Sequence, residues 1–115
     1  EPQRFQWKFN QDNNHPLEEH MVITDEPGLY IEGSHGVRIE NELLVKKDVS
    51  NEYGQFMKFE MLTFVPIDLD AIDATIMTTE EKELLNAYHK DVYSTVSPYL
   101  NDEEKEWLKL YTREV

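Results

Sequence analysis

The chain has 115 residues, which suffices for one domain with a modest core. Its 24 Asp and Glu outnumber 11 Lys and Arg, and the formal net charge of −13 excludes a basic nucleic-acid groove but suits a cation-binding site. The absence of cysteines excludes disulfides and thiolate zinc sites, no apolar run approaches the roughly 18 residues of a membrane span, and we expect a reducing, cytoplasmic location.

The first twenty residues are mostly polar. Phe5, Trp7 and Phe9 alternate with polar residues, which predicts a short, half-buried strand that the polar cluster 11–16 ends. His15 and His20 lie in this polar stretch, and we expect both to be solvated rather than to bind a metal.

Residues 21–45 contain two apolar runs separated by a turn. The first run, 21–31, predicts a strand that Pro27 and Gly28 interrupt. Residues 32–36 predict a turn, since they include two glycines that can adopt positive φ. His35 is expected to be exposed at its tip. The second run, 37–45, predicts a strand with Arg38 and Glu40 on its polar face.

A hairpin centred on Gly33 places Glu26 opposite Glu40 and Gly28 opposite Arg38. Like charges that face each other destabilise an antiparallel pair. At roughly 4 Å and an effective dielectric constant of about 20, their repulsion is on the order of 4 kcal/mol. A positive charge should therefore lie between the two carboxylates, and it is either Arg38 or a metal ion.

The middle of the chain predicts a polar loop over 46–54 and a third strand over 55–67. Glu60 in that strand is an edge carboxylate, a carboxylate paired with a lysine, or part of a site. The linker that follows carries three aspartates with the approximate spacing of a calcium loop, but it lacks the glycine and terminal glutamate of an EF-hand. These residues are Asp68, Asp70 and Asp73.

Two helices complete the α+β prediction. Thr78 and Glu81 have the spacing of a capping box, and Pro98 ends the first helix. Asn101 caps the second helix. We predict His89 to be a packing residue at the boundary of the first helix's apolar stripe. The predicted apolar faces comprise Leu84, Leu85, Tyr88, Val92 and Val96 in the first helix, and Trp107, Leu108 and Tyr111 in the second.

From the residues alone, two interpretations of Glu26, Glu40 and Arg38 remain open. Carboxylates on neighbouring strands can ligate manganese, magnesium or zinc through oxygen, and a metal pair would activate water. Alternatively, Arg38 and the carboxylates form an ionic cluster on a sheet face. Two carboxylates are too few for a complete catalytic metal site.

The motifs resemble those of the pita-bread metallopeptidases, specifically the Xaa-Pro aminopeptidases. MVITDEPGLYI matches the family's T-x-E-P-G-x-Y strand, and GVRIENELLV matches its G-x-R-I-E strand. The remainder, from LTFVPIDLDAID through TTEEKELLNAYHKDVYSTVSPYLNDEEKEWL, is similar to the C-terminal extension of longer members. The resemblance implies catalytic-domain strands over 1–67 and a helical extension over 68–115.

The resemblance also implies roles for four residues. Glu26 would bind one metal and handle the catalytic proton, while Glu40 would bridge both metals. Arg38 and Tyr30 would support the site. The implied cofactors are two divalent ions, manganese first, with zinc or cobalt as alternatives.

The implied reaction removes an N-terminal residue that precedes proline in a peptide. The family site also uses two aspartates and a histidine from earlier strands, which this sequence lacks. We therefore expect a C-terminal fragment of a homodimeric enzyme, inactive by itself, with no nucleic-acid or membrane partner. The alternative is a non-catalytic assembly or dimerisation module.

Overall fold

The structure is a computed structural model that describes residues 16–115. The predicted strand at Phe5, Trp7 and Phe9 lies outside the described residues, as does His15. Antiparallel strands are followed by two α-helices, so the α+β prediction is confirmed. The chain forms two compact units, the first ending at Thr63 and the second spanning Phe64–Val115. Within the described part, no helix is both long and apolar enough to cross a bilayer.

The first unit is built from a hairpin that is interrupted once on each strand. Its strands are β1 (Val22–Asp25), β2 (Gly28–Tyr30), β3 (Gly36–Arg38), β4 (Asn41–Asn51) and β5 (Gly54–Met61). One antiparallel sheet has the order β1-β4-β5, and β2 pairs with β3 in a second. The interruption on the first strand coincides with Pro27, as predicted, since proline cannot donate to a ladder.

The polar loop predicted over 46–54 is wrong, because β4 continues to Asn51 and β5 begins at Gly54. Most side chains of these two strands are exposed. Their sequence is therefore polar and lacks the alternation of apolar residues from which a strand is predicted. Cross-strand ion pairs replace apolar contacts there: Lys46 Nζ lies 2.6 Å from Glu60 Oε2, and Lys58 Nζ lies 3.2 Å from Asp48 Oδ1. Of the alternatives for Glu60, the structure has the pairing with a lysine.

The third strand is shorter than predicted, since β5 ends at Met61 rather than at residue 67. The Leu62 N–H still donates to the Glu42 carbonyl, and the Thr63 hydroxyl accepts from the Glu42 N–H, but Val65 and Ile67 bond to side chains of α1 (Thr79–Val96). The Tyr88 hydroxyl donates to the Val65 carbonyl at 2.8 Å, and the Ile67 N–H donates to His89 Nε2 at 3.0 Å. Apolar residues in this segment therefore reflect packing within the second unit.

The second unit contains α1 and α2 (Asp102–Tyr111), and both predicted helix starts are confirmed. Thr78 with Glu81, and Asn101 with Glu104, form reciprocal capping boxes that satisfy the first backbone N–H groups of each helix. The linker aspartates have structural partners: Asp68 accepts from the Asp70 N–H, Asp73 binds Thr75, and Asp70 pairs with Arg113 at 3.0 Å.

The buried face of the second unit differs from the predicted one. His89 is completely buried rather than at a boundary. Trp107, which was predicted on the buried face of the second helix, is 57% exposed, and Leu84 of the predicted apolar stripe is 66% exposed. The apolar stripe of a helix spans a wide arc. Only the centre of each stripe is buried here, at Val92 in α1 and Leu108 in α2.

Candidate functional site

The candidate site lies on one face of the interrupted hairpin. Side chains alternate between the two faces of a strand, so residues two apart share a face. The residues on the site face are Glu26, Gly28 and Tyr30 on one strand and Gly36, Arg38 and Glu40 on the other. The opposite face is apolar and carries Leu29, Ile31, Val37 and Ile39.

The register brings Glu26 and Glu40 together. Asp25 pairs with Asn41 on one side of the interruption, and Gly28 pairs with Arg38 on the other. Both ladders have the same register, so Glu26 stands across from Glu40. The backbone N–H of Ile39 donates to the Pro27 carbonyl at 3.2 Å and holds the strands together between the ladders. The hairpin geometry predicted from the turn at Gly33 is therefore confirmed.

Arg38 supplies positive charge beside the two carboxylates. Its Nε lies 3.2 Å from Glu40 Oε2, and both side chains are partly exposed, at 52% and 38%. A hydrogen bond with Tyr30 is the main reason that the pKa of the Arg38 guanidinium is raised, and the negative charges of Glu40 and Glu26 add to this effect. Arg38 is thus in contact with Glu40 and within electrostatic range of Glu26.

Gly28 and Gly36 belong to this site, and the sequence patterns did not indicate their part in it. A Cβ atom at Gly28 would lie 2.7 Å from Tyr30 Cε2, and one at Gly36 would lie 2.6 Å from Tyr30 Cδ1. The phenol ring therefore lies flat over both glycines. The sequence did contain a pattern from which this packing could be predicted: Tyr30 has a glycine two residues before it and another at its cross-strand position.

The two carboxylates have the right chemistry to bind a divalent metal ion, but two ligands are too few to hold it. Oxygen ligands from Glu26 and Glu40 suit hard or borderline divalent cations. Among residues 16–115, no three ligating His, Asp or Glu side chains form a group that could hold a metal. His35 contacts Ser34 Oγ at 2.9 Å in the turn, while His89 is buried in the second unit. The hairpin thus offers part of a ligand set.

Comparison with known proteins identifies the family. The sequence matches the C-terminal region of peptidase M24 over residues 55–115 and metallopeptidase family M24 over residues 1–47. The chain belongs to metallopeptidase family M24. The resemblance to the pita-bread aminopeptidases is thereby confirmed.

Relatives of this M24 chain are named as aminopeptidases. A probable Xaa-Pro aminopeptidase P of Coprinopsis cinerea is 40% identical over 105 residues, which cover 87% of this chain and 17% of the relative. Aminopeptidase P1 of Arabidopsis thaliana is 39% identical over 106 residues, which cover 89% and 16%. The chain therefore spans only about a sixth of the length of these relatives.

A solved structure has the same fold as this M24 chain. The X-prolyl aminopeptidase of Caenorhabditis elegans superposes with a TM-score of 0.71 at 32% identity, over 86% of this chain and 17% of that chain. That protein is described as a cytosolic enzyme with a di-nuclear active site. The predicted fold, antiparallel strands and two helices from the C-terminal part of a pita-bread enzyme, is confirmed.

Proposed function

We propose that this chain contributes two ligands, Glu26 and Glu40, to the dinuclear metal centre of an Xaa-Pro aminopeptidase. The observation that carries the proposal is the shared register, which places these carboxylates opposite each other on one face. The names of the relatives support the peptidase activity, and the di-nuclear site of the worm enzyme supports two metal ions. Manganese is the first candidate, with zinc or cobalt as alternatives.

The proposed roles follow from charge and position. Glu26 would hold one metal and handle the catalytic proton, and Glu40 would be a ligand shared by the two metals. Arg38 Nε lies 3.2 Å from Glu40 Oε2 and holds this carboxylate in position. Tyr30 holds Arg38 through their hydrogen bond. When bound, a metal pair supplies an activated water and polarises the peptide carbonyl.

The proposed substrates are peptides with proline at the second position. We place the enzyme in the cytoplasm, as its structural relative is, and expect a homodimer with no nucleic-acid or membrane partner. The 115-residue chain supplies two of the ligands that the site needs and is expected to be inactive alone. Metal-dependent cleavage of an X-Pro-X peptide by the purified 115-residue chain would contradict this expectation.

The test uses Glu40→Gln in a chain long enough to carry the complete ligand set. A neutral amide cannot replace a bridging anion, so metal content and X-Pro cleavage should fall together. Glu60→Gln is the matched control, because Glu60 is an exposed strand carboxylate that pairs with Lys46 outside the site. If Glu40→Gln keeps both metals, the ligand assignment is wrong.

A second candidate function is a non-catalytic assembly module. Exposed apolar side chains on the helices favour it: Leu84, Trp107 and Leu110 are between 56% and 66% exposed. Size-exclusion chromatography with light scattering, beside metal titration calorimetry, separates the two candidates. An oligomer that binds no metal supports assembly, whereas metal binding by a monomer opposes it.

A further inference from the structure

The four glycines of the chain fall into two kinds. Gly33 and Gly54 have positive φ angles of 71° and 124°, and a Cβ atom at either would meet nothing within 4 Å. Glycine is needed there for its backbone conformation. Gly28 and Gly36 lie in β2 and β3 and are not among the residues with positive φ. Their lack of a side chain therefore provides space, and the Tyr30 ring fills it.

The two glycines lie under different parts of the ring. Gly36 is the cross-strand partner of Tyr30, and its Cβ position falls 2.6 Å from Cδ1 and 3.1 Å from Cε1. The Cβ position of Gly28 falls 2.8 Å from the Tyr30 Oη and 2.9 Å from Cζ. The ring thus extends back along its own strand, with its hydroxyl above Gly28.

This orientation directs the Tyr30 hydroxyl towards Arg38. Gly28 is the cross-strand partner of Arg38, so the hydroxyl lies above the residue that faces Arg38 in the ladder. Arg38 Nε lies 3.2 Å from Glu40 Oε2, and Tyr30 is the largest cause of the raised pKa of the Arg38 guanidinium. The two glycines thus lie next to the Tyr30 ring, Tyr30 acts on Arg38, and Arg38 contacts Glu40.

We propose that Gly28 and Gly36 are positioning residues of the metal centre, which act by letting Tyr30 lie flat and hold Arg38 on Glu40. The proposal rests on the proposed function of Glu40 as a metal ligand. A methyl group at either glycine would come closer than 3.0 Å to ring carbons, a distance that real Cβ contacts do not show. The ring would have to lift, and its hydroxyl would leave Arg38.

The first experiment makes Gly36→Ala and Gly28→Ala, with Gly33→Asn as the control. Asparagine tolerates positive φ, and the space around Gly33 is open, so this control alters the turn without touching the ring. The Nε–H resonance of Arg38 is measured by NMR in the metal-free protein. Both alanine variants should shift this resonance and speed its hydrogen exchange, whereas Gly33→Asn should leave it unchanged. An unchanged resonance in both alanine variants overturns the proposal.

The second experiment is a mutant cycle with Tyr30→Leu in the protein that carries the complete ligand set. Loss of an outer partner of a metal ligand typically lowers metal affinity or activity about 10- to 100-fold. We expect Gly36→Ala to lower metal affinity and kcat in this range with little change in KM. In the Tyr30→Leu background it should have no further effect, since the ring is gone. Equal effects in both backgrounds would show that Gly36 acts independently of Tyr30 and would overturn the proposal.

The two experiments separate this proposal from the proposed function. If Glu40→Gln keeps both metals, the metal assignment fails, but the Arg38 resonance still tests whether the glycines hold the ring. If Glu40→Gln loses the metals and the Arg38 Nε–H resonance is unchanged in both alanine variants, the positioning proposal alone fails.

Discussion

The backbone N–H of Ile67 donates to Nε2 of the His89 imidazole at 3.0 Å, in the interior of the second unit. Because Nε2 accepts this bond, the ring is neutral and its proton is on Nδ1. Burial is the main cause that lowers the pKa of His89. It outweighs the raising effect of the Arg113 backbone, and the Arg113 cation lowers the pKa further. Arg113 itself pairs with Asp70.

Acid should destabilise the second unit through His89. In the unfolded chain the imidazole titrates near pH 6.5, and in the folded chain it titrates lower. Below about pH 6.5 the unfolded state therefore binds more protons. The free energy of unfolding is highest above this pH and falls as the pH drops to the folded pKa, by at most about 1.4 kcal/mol per pH unit for one proton. Urea unfolding between pH 7.5 and 5 measures this slope.

His89→Gln is the control for this pH dependence. Its side-chain oxygen can accept from the Ile67 N–H, but it does not titrate. The variant should lose the His89 component of the slope, while contributions from other groups remain. An identical slope in both proteins would show that His89 does not cause the acid sensitivity.

Tyr88→Phe should lower the free energy of unfolding by about 1 kcal/mol, because it removes the hydroxyl that donates to the Val65 carbonyl. The ring remains, so packing is preserved. Thermal or urea unfolding at pH 7.5 measures the loss, and amide exchange at Ile67 shows whether the neighbouring bond loosens too. Tyr99→Phe is the matched control, since Tyr99 is 87% exposed and should leave stability unchanged.

His20→Gly should stabilise the first unit. His20 has a φ of 73° and donates its N–H to the Val45 carbonyl at 2.8 Å, so the backbone there is held in the left-handed region. That region costs a residue with a Cβ about 1–2 kcal/mol, partly offset by the extra freedom of glycine when unfolded. We expect a gain of about 0.5–1 kcal/mol, measured by urea unfolding. His35→Gly, where φ is not positive, should give no gain.

Leu108→Ala should cost more stability than Trp107→Ala, although tryptophan is the larger residue. Leu108 is 3% exposed, and truncation of a buried leucine costs about 2–5 kcal/mol. Trp107 is 57% exposed and stacks on Tyr111 with ring centroids 4.4 Å apart. The free energies of unfolding of the two variants check this order, and a larger loss for Trp107→Ala would contradict the observed burial.

The strand register of the site was predictable, because a turn centre and a two-residue period are enough to number the pairs. The position of the Tyr30 ring was not. Its direction depends on the space above Gly28 and Gly36, which only the assembled hairpin defines. The roles of Glu26 and Glu40 as ligands come from the family resemblance and stay predictions.

The helix starts were predictable because Thr78 and Asn101 act within one turn of their partners. The extent of β4 and β5 was not, since cross-strand ion pairs are contacts between residues distant in sequence. The exposure of Trp107 also escaped prediction. Hydrophobic periodicity locates a stripe, but the neighbouring elements decide which part of it is covered.

The exposed turn around Gly33 has a bearing on site chemistry that its surface position conceals. Loop tips usually tolerate insertions. Here the turn sets the strand register, and a one-residue slip moves every side chain of a strand to the opposite face. If one residue were added to the turn and β3 shifted by one position against β2, Ile39 would lie opposite Glu26 in place of Glu40. The Arg38 side chain would then point to the other face of the hairpin. The length of this turn is therefore under the same constraint as the carboxylates themselves.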